Sequence, residues 1–249
     1  MIKKSRIWSI ITILLLLIAC AEPVSISEEE SARLAFEGAK GYQDSSRYEL
    51  ALEKFSYVKN KYPFTTYATM AELELANTYF LKGDYLESIA AYEAFRDLHP
   101  RNSRLAEVTY KIGLAYFELA PTSVDRDLTP IKQGIQVFEE LIRRYPRSEN
   151  IKDAKDKIRE GRGMLARKEL YIGDFYFKRG AFNAAALRYK SVLDRYSDAG
   201  HNAEAAYHLG EAYKKAENIE GAKKAFQIAS QKHADSKWGE MAQQRLKEL

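Results

Sequence analysis

One internal period constrains this chain more than its composition does. A small residue followed three positions later by tyrosine recurs at Ala39/Tyr42, Ala76/Tyr79, Gly113/Tyr116, Gly173/Tyr176 and Gly210/Tyr213, with spacings of 37, 37, 60 and 37 residues. A second register follows in each unit. A small residue stands at Ala51, Ser88, Gly134, Ala185 and Ala222, with a ring four positions on at Phe55, Tyr92, Phe138, Tyr189 and Phe226. Each unit then closes on an aromatic or histidine: Tyr62-Pro63, His99-Pro100, Tyr145-Pro146, Tyr196-Ser197 and His233-Ala234. A period in this range marks supersecondary units that bury their apolar faces only by stacking on their neighbours. Two registers per unit, split by turn residues such as Gly83-Asp84 and Gly180-Ala181, predict two antiparallel helices with small residues where they cross. No β-strand is expected.

The pattern resembles the tetratricopeptide repeat (TPR), which implies an all-α superhelix of five helix pairs plus a C-terminal capping helix. The period exceeds the common 34 by three residues, which belong in the loop after each terminator. Two insertions explain the spacing of 60: nine residues within the proline-bounded loop 120–130, and fourteen between Ser148 and Gly163. Fourteen residues are close to four helical turns, so a longer helix keeps one face inward. Ile151, Ala154, Ile158, Gly161, Leu165, Ile172 and Tyr176 make that face, and Gly161 and Gly163 favour a kink. Ser27 and Glu30 have capping-box spacing. The expected organisation is repeats at 28–63, 64–100, 101–146, 147–197 and 198–234, closed by a helix over 236–249.

Residues 1–19 read differently. Lys3, Lys4 and Arg6 precede an apolar run from Ile7 to Ala19. Thirteen helical residues span about 20 Å, short of the roughly 30 Å of a hydrocarbon core, so an export leader fits better than a membrane anchor. Leu17-Ile18-Ala19-Cys20 resembles the lipobox of bacterial lipoproteins, with Ile18 bulkier than usual. The resemblance implies cleavage before Cys20 and acylation of its thiol and new N-terminus, with residues 20–27 as a lipidated tether. More than one acyl chain gives stable anchoring. Ala21 stands where an Asp would argue for the inner membrane, so the periplasmic face of the outer membrane is expected. Cys20 is the sole cysteine, which excludes an intramolecular disulfide or a cysteine-based zinc site. Three of the 39 basic residues lie in the leader, leaving 36 against 35 acidic ones. A nearly neutral exported protein is no candidate for nucleic acid.

No catalytic constellation can be assembled. The four histidines are His99, His201, His208 and His233, and two of them stand where other repeats place tyrosine. His208 and Glu211 share a helix face but lack a third ligand, and Asp125 and Asp127 compensate Arg126 in a solvated loop. Neither a metal nor another cofactor is expected, and no enzyme. TPR register instead selects positions on the first helix of each repeat that would line a concave groove. Phe36, Met70, Leu73, Asn77, Phe80, Tyr110, Leu114 and Phe117 give an apolar, aromatic channel for an extended peptide. Arg167, Asp174, Lys178, Glu211 and Lys214 give a charged face for docking a partner. The competing arrangement has the insertions or the N-terminal helix fill that groove as core.

The lipobox, the five repeats, Tyr62-Pro63-Phe64-Thr65-Thr66-Tyr67-Ala68, Gly83-Asp84-Tyr85 and the Asp125-Arg126-Asp127 loop together resemble the BamD (ComL/YfiO) family of outer-membrane assembly lipoproteins. The resemblance covers essentially the whole mature chain. It implies a lipid-anchored periplasmic subunit of the β-barrel assembly machinery (BAM complex), with a BamA-like barrel subunit, other assembly lipoproteins and unfolded outer-membrane proteins as partners. An adaptor of the Tol-Pal or cell-wall machinery is the alternative, disfavoured by the lipobox and by the lack of an N-terminal coiled coil. A lipid-anchored enzyme is a further alternative, without a catalytic cluster to support it.

Overall fold

The computed structural model describes residues 26–249, so the leader, Cys20 and most of the tether lie outside the described residues. Among the described residues there are eleven helices and no strand, which is the all-α helix-pair architecture that the period predicts. The described residues divide into two compact units, 26–71 and 72–249.

In the first unit, α1 (Glu28–Asp44) and α2 (Tyr48–Lys61) form a pair, followed by the opening turns of α3 (Thr66–Lys82). Ala32, Phe36 and Ala39 of α1, Ala51, Leu52, Phe55 and Val58 of α2, and Ala68 and Ala71 of α3 are its buried apolar residues. The Ser27 hydroxyl caps α1 by accepting the Glu30 N–H at 3.1 Å. Glu30 does not return the bond as a full capping box would. Its two carboxylate oxygens accept from Arg33 at 2.6 and 2.8 Å, a charge-assisted fork one turn away.

The second unit holds the rest of α3, then α4 (Tyr85–Leu98), α5 (Leu105–Leu119), α6 (Thr129–Arg144), α7 (Ile151–Lys178), α8 (Phe182–Arg195), α9 (Asn202–Lys215), α10 (Ile219–Lys232) and α11 (Lys237–Lys247). From α4 onward each helix packs on its sequence neighbours, and α11 packs on both α10 and α9. The period-setting glycines sit at helix crossings. A Cβ on Gly113, Gly173 or Gly210 would come within 2.4–2.5 Å of the ring of Phe138, Tyr189 or Phe226. The recurrent small residue and the recurrent ring are thus two halves of one contact. Burying each ring contributes about 1.5–3 kcal/mol.

The turn within each pair is also recurrent. The N–H groups of Asp84 and Ala181 close on the carbonyls of Tyr79 and Tyr176 at 3.0 Å, around Gly83 (φ 90°) and Gly180 (φ 75°). Arg47 and Asn218 close on Tyr42 and Tyr213 at 2.9 Å in the same way, but there Ser46 (φ 60°) and Glu217 (φ 61°) occupy the left-handed position. This is a helix C-cap in which an i+5 bond satisfies an otherwise orphaned carbonyl.

The third repeat departs from this scheme. Its loop is residues 120–128 rather than 120–130, because Thr129 and Pro130 already belong to α6. Proline fits there since first-turn N–H groups have no intrahelical partner. The Asp127 carboxylate accepts from the Thr129 N–H and hydroxyl at 3.0 and 2.8 Å, and the Lys168 ammonium donates to the Arg126 carbonyl. The extra turns of α7 run through both glycines as one 28-residue helix. Gly161 serves close approach rather than a break: its would-be Cβ lies 2.8 Å from Phe117 and 3.0 Å from Ile131 and Ile135.

Candidate peptide-binding groove and its surroundings

In the first unit, Phe36 is a core side chain. Its ring packs on Phe55 at 5.4 Å and on Tyr67 at 5.7 Å, leaving 9% of the residue exposed. That burial removes Phe36 from any open channel. Met70 is exposed, as a groove position requires.

In the second unit Leu73 is likewise core, 2% exposed among Ile89, Tyr92, Phe95 and Ile112. Both corrections have one cause. Two adjacent helices cover a ridge position from two sides, and the sequence register cannot tell a flank that is roofed by its neighbour from one that is open.

Asn77 has a different occupation. Its Oδ1 accepts the Tyr92 hydroxyl at 2.5 Å and its Nδ2 donates to Glu74 at 3.0 Å. Asp174 repeats the arrangement two repeats later, accepting the Tyr189 hydroxyl at 2.7 Å. Tyr92 and Tyr189 are 0% and 1% exposed. Burial first, with the nearby carboxylates, raises both phenols well above their ordinary range. Where the second-helix ring is Phe, in the first, third and fifth repeats, the matching first-helix residue is Lys40, Leu114 or Glu211. A polar acceptor therefore appears wherever the ring carries a hydroxyl, as the need to satisfy a buried donor demands.

Phe80 is half-buried, edge-on to Tyr85 at 5.4 Å, with the Lys111 ammonium 5.4 Å above its ring. Lys111 came with no sequence signal, because a cation at that place matters only once α5 lies beside α3. Tyr110 and Leu114 are on the same helix as Lys111. The Tyr110 hydroxyl bonds the Asp153 carboxylate of α7. Burial first, then that bond, pushes the phenol above its ordinary value. Leu114 and Phe117 are half-buried in the cluster of Phe138, Leu141 and Ala154. Phe117 packs on Phe138 at 5.5 Å, abuts Gly134 and Gly161, and has the Lys157 ammonium 5.8 Å from its ring. The inserted turns of α7 thus roof the third repeat's share of the expected channel. What stays accessible of the expected channel in this unit is the half-buried Phe80, with Lys111 over its ring.

The charged face divides too. Arg167 and Lys178 are exposed, and Asp174 is tied to Tyr189. Glu211 accepts from Arg245 Nε at 2.8 Å, and Lys214 lies 3.7 Å from Glu248. Trp238 of α11 packs on Tyr207 at 5.3 Å and His208 at 4.9 Å. The closing helix therefore covers the fifth repeat's docking positions with its own residues.

Of the sequence-predicted surface positions, Met70, Arg167 and Lys178 are exposed, and the others are buried, half-buried or tied to neighbouring side chains. Among the described residues no cluster of three His, Cys, Asp or Glu could hold a metal ion, and no helix is long and apolar enough to cross a membrane. Fold and site together define a helical-repeat scaffold of the TPR class, whose surfaces are built from the first helices of successive pairs. Within that class, the chain belongs to the YfiO family, described as "Outer membrane lipoprotein", which matches residues 28–228.

Three relatives carry the description "Outer membrane protein assembly factor BamD". That of Rickettsia prowazekii is 31% identical over 204 residues, covering 82% of this chain and 81% of the relative. That of Neisseria gonorrhoeae is 28% identical, covering 81% of each. That of Caulobacter vibrioides is 29% identical, covering 77% of this chain, which spans 63% of that relative's length. Among solved structures, the TPR2AB-domain:pHSP90-complex of yeast Sti1 aligns with 88% of this chain and 85% of its own at 14% identity and a TM-score of 0.45.

Proposed function

We propose that this protein is a lipid-anchored scaffold subunit of the machinery that assembles β-barrel proteins in the outer membrane, held on the periplasmic face through acylated Cys20. The observation that carries the reading is membership of the YfiO family over residues 28–228, supported by relatives described as outer membrane protein assembly factors. Its partners in this reading are a BamA-like barrel subunit, other assembly lipoproteins and unfolded outer-membrane proteins.

The mechanism is capture and hand-over, with no covalent step. The exposed part of Phe80 offers an apolar contact for an aromatic side chain, and Lys111, whose ammonium lies over that ring, offers a counter-charge for a terminal carboxylate. Met70 adds a separate exposed apolar contact. An extended peptide loses conformational entropy on binding, so each contact is weak. Anchoring partners on one membrane raises their effective concentration and offsets that loss. Arg167 and Lys178 remain the exposed members of the charged docking face.

Affinity purification from detergent-solubilised outer membranes tests the proposal. Co-recovery of barrel proteins is the expected outcome; recovery of Tol components without them would overturn it. Cys20→Ser is expected to move the protein to the soluble periplasmic fraction, and unchanged retention would remove the anchor from the reading.

A further inference from the structure

Five equivalent turns join one repeat, or the closing helix, to the pair before it. In each, the N–H of the fourth residue closes on the carbonyl of the aromatic or histidine that ends the preceding helix: Thr65 on Tyr62, Asn102 on His99, Ser148 on Tyr145, Ala199 on Tyr196 and Ser236 on His233, all at 2.9–3.1 Å. The third residue of each turn is exposed, and among them Asp198 accepts from Arg162 of α7 at 2.8 Å. In four of the five it is charged, namely Arg101, Arg147, Asp198 and Asp235. In the first turn it is Phe64, 95% exposed. Single exposed apolar residues are ordinary on protein surfaces, but this one is an exception at a position that is otherwise always charged, and it is not alone.

Exposed Pro63 precedes it, and Ile26 is 58% exposed. The Thr66 hydroxyl donates to the Glu29 carboxylate, so the start of α1 abuts the start of α3 and brings Ile26 to the same end of the unit as Phe64. Tyr57, half-exposed, packs edge-on to Tyr62 at 6.0 Å, and Lys59 and Lys61 occupy the last turn of α2. The turn is held stiffly: the Thr65 hydroxyl donates to the Tyr62 carbonyl at 2.8 Å and accepts the Ala68 N–H at 3.2 Å. Of the acidic first turn of α1, Glu29 is engaged by Thr66 and Glu30 by Arg33.

We propose that the α2–α3 turn is a second membrane contact, with Phe64 and Pro63 inserting among phospholipid acyl chains while Ile26, Tyr57, Lys59 and Lys61 lie at the headgroup level. The inference rests on the reading of Cys20 as acylated. Ile26 is the sixth residue after Cys20, which limits that end of the unit to about 20 Å from the lipid attachment point. Aromatic rings and the stems of lysines are the side chains that settle at a membrane–water boundary. A shallow contact beside a covalent anchor would fix the orientation of the first helix pair on the bilayer instead of leaving it to swing on its tether.

The test uses the mature lipidated protein in vesicles of phosphatidylethanolamine and phosphatidylglycerol with brominated acyl chains. Trp8 leaves with the leader, so Phe64→Trp in a Trp238→Phe background carries one indole. Arg101→Trp in the same background places the probe on the same turn one repeat away. The expected result is a blue-shifted emission and about twofold bromine quenching for the probe at 64, with neither change for the probe at 101. Absence of quenching at 64, or equal quenching at both positions, overturns the proposal. Intact mass and vesicle flotation separate the two failures. A protein without acyl mass that does not float refutes the anchor and this inference with it. A protein that floats with its probe at 64 unquenched refutes this inference alone.

Discussion

Removing the carboxylate of Asp174 is expected to destabilise the second unit through Tyr189 rather than through any partner. The Tyr189 ring is 1% exposed, and its hydroxyl donates to Asp174 at 2.7 Å. A hydrogen bond to a charged acceptor contributes about 1.5–3 kcal/mol, and a buried donor left unpaired costs about 1–3 kcal/mol. Asp174 is half-exposed, so solvent screens its charge and the lower end applies. Asp174→Ala should therefore lose about 1.5 kcal/mol, whereas Asp174→Asn keeps an acceptor and should lose about 0.5 kcal/mol. In a Tyr189→Phe background there is no hydroxyl to orphan, and Asp174→Ala should then cost under about 0.5 kcal/mol, a coupling near 1 kcal/mol. Thermal unfolding followed by circular dichroism measures all four corners, at roughly 2–4 °C of Tm per kcal/mol for a unit of this size. Equal losses from Asp174→Ala in both backgrounds would refute the assignment of Asp174 as the acceptor of a buried phenol.

The remaining predictions concern the same framework. Gly173→Ala sets a methyl 2.4 Å from the Tyr189 ring and should cost about 1–3 kcal/mol by overpacking, measured by thermal unfolding, whereas Gly38→Ala, with nothing within 4 Å, should raise Tm. Ser46→Gly and Glu217→Gly each relieve a left-handed residue and should gain about 0.5–1 kcal/mol, while Gly83→Ala at φ 90° should lose at least that much. The phenols of Tyr92, Tyr110 and Tyr189 are raised above their unfolded values. Their stabilisation is fully present below the unfolded phenol range near pH 10 and is lost as pH rises above it, so denaturant midpoints should fall in strong alkali and fall less steeply in Tyr92→Phe.

Much of the fold was legible because its contacts are local and repeated. One small residue and one ring per unit were enough to place the helix crossings, and Gly83 and Gly180 marked their turns. The third repeat was harder. The fourteen-residue insertion reads correctly as added helix, but nothing in α5 announces that α7 will bond Tyr110 and lie over Phe117. Groove positions suffered for the same reason: register along one helix says which side chains leave the packed ridge, and only the neighbouring helix decides whether they are then covered, as Phe36 and Leu73 are. Asn77 and Asp174 could have been recognised earlier, since both stand fifteen residues before a second-helix tyrosine where other repeats carry phenylalanine. Cys20 was read from a leader pattern that owes nothing to the fold.

In the proposed function the repeats capture an unfolded outer-membrane protein segment at Phe80. A photo-crosslinking side chain placed at Phe80 in the membrane-anchored protein, exposed to an unfolded barrel protein, measures it directly. Crosslinks to the C-terminal segment of that chain, suppressed by Lys111→Glu, are the expected result. Labelling confined to intramolecular neighbours such as Tyr85 and Lys111 would contradict it.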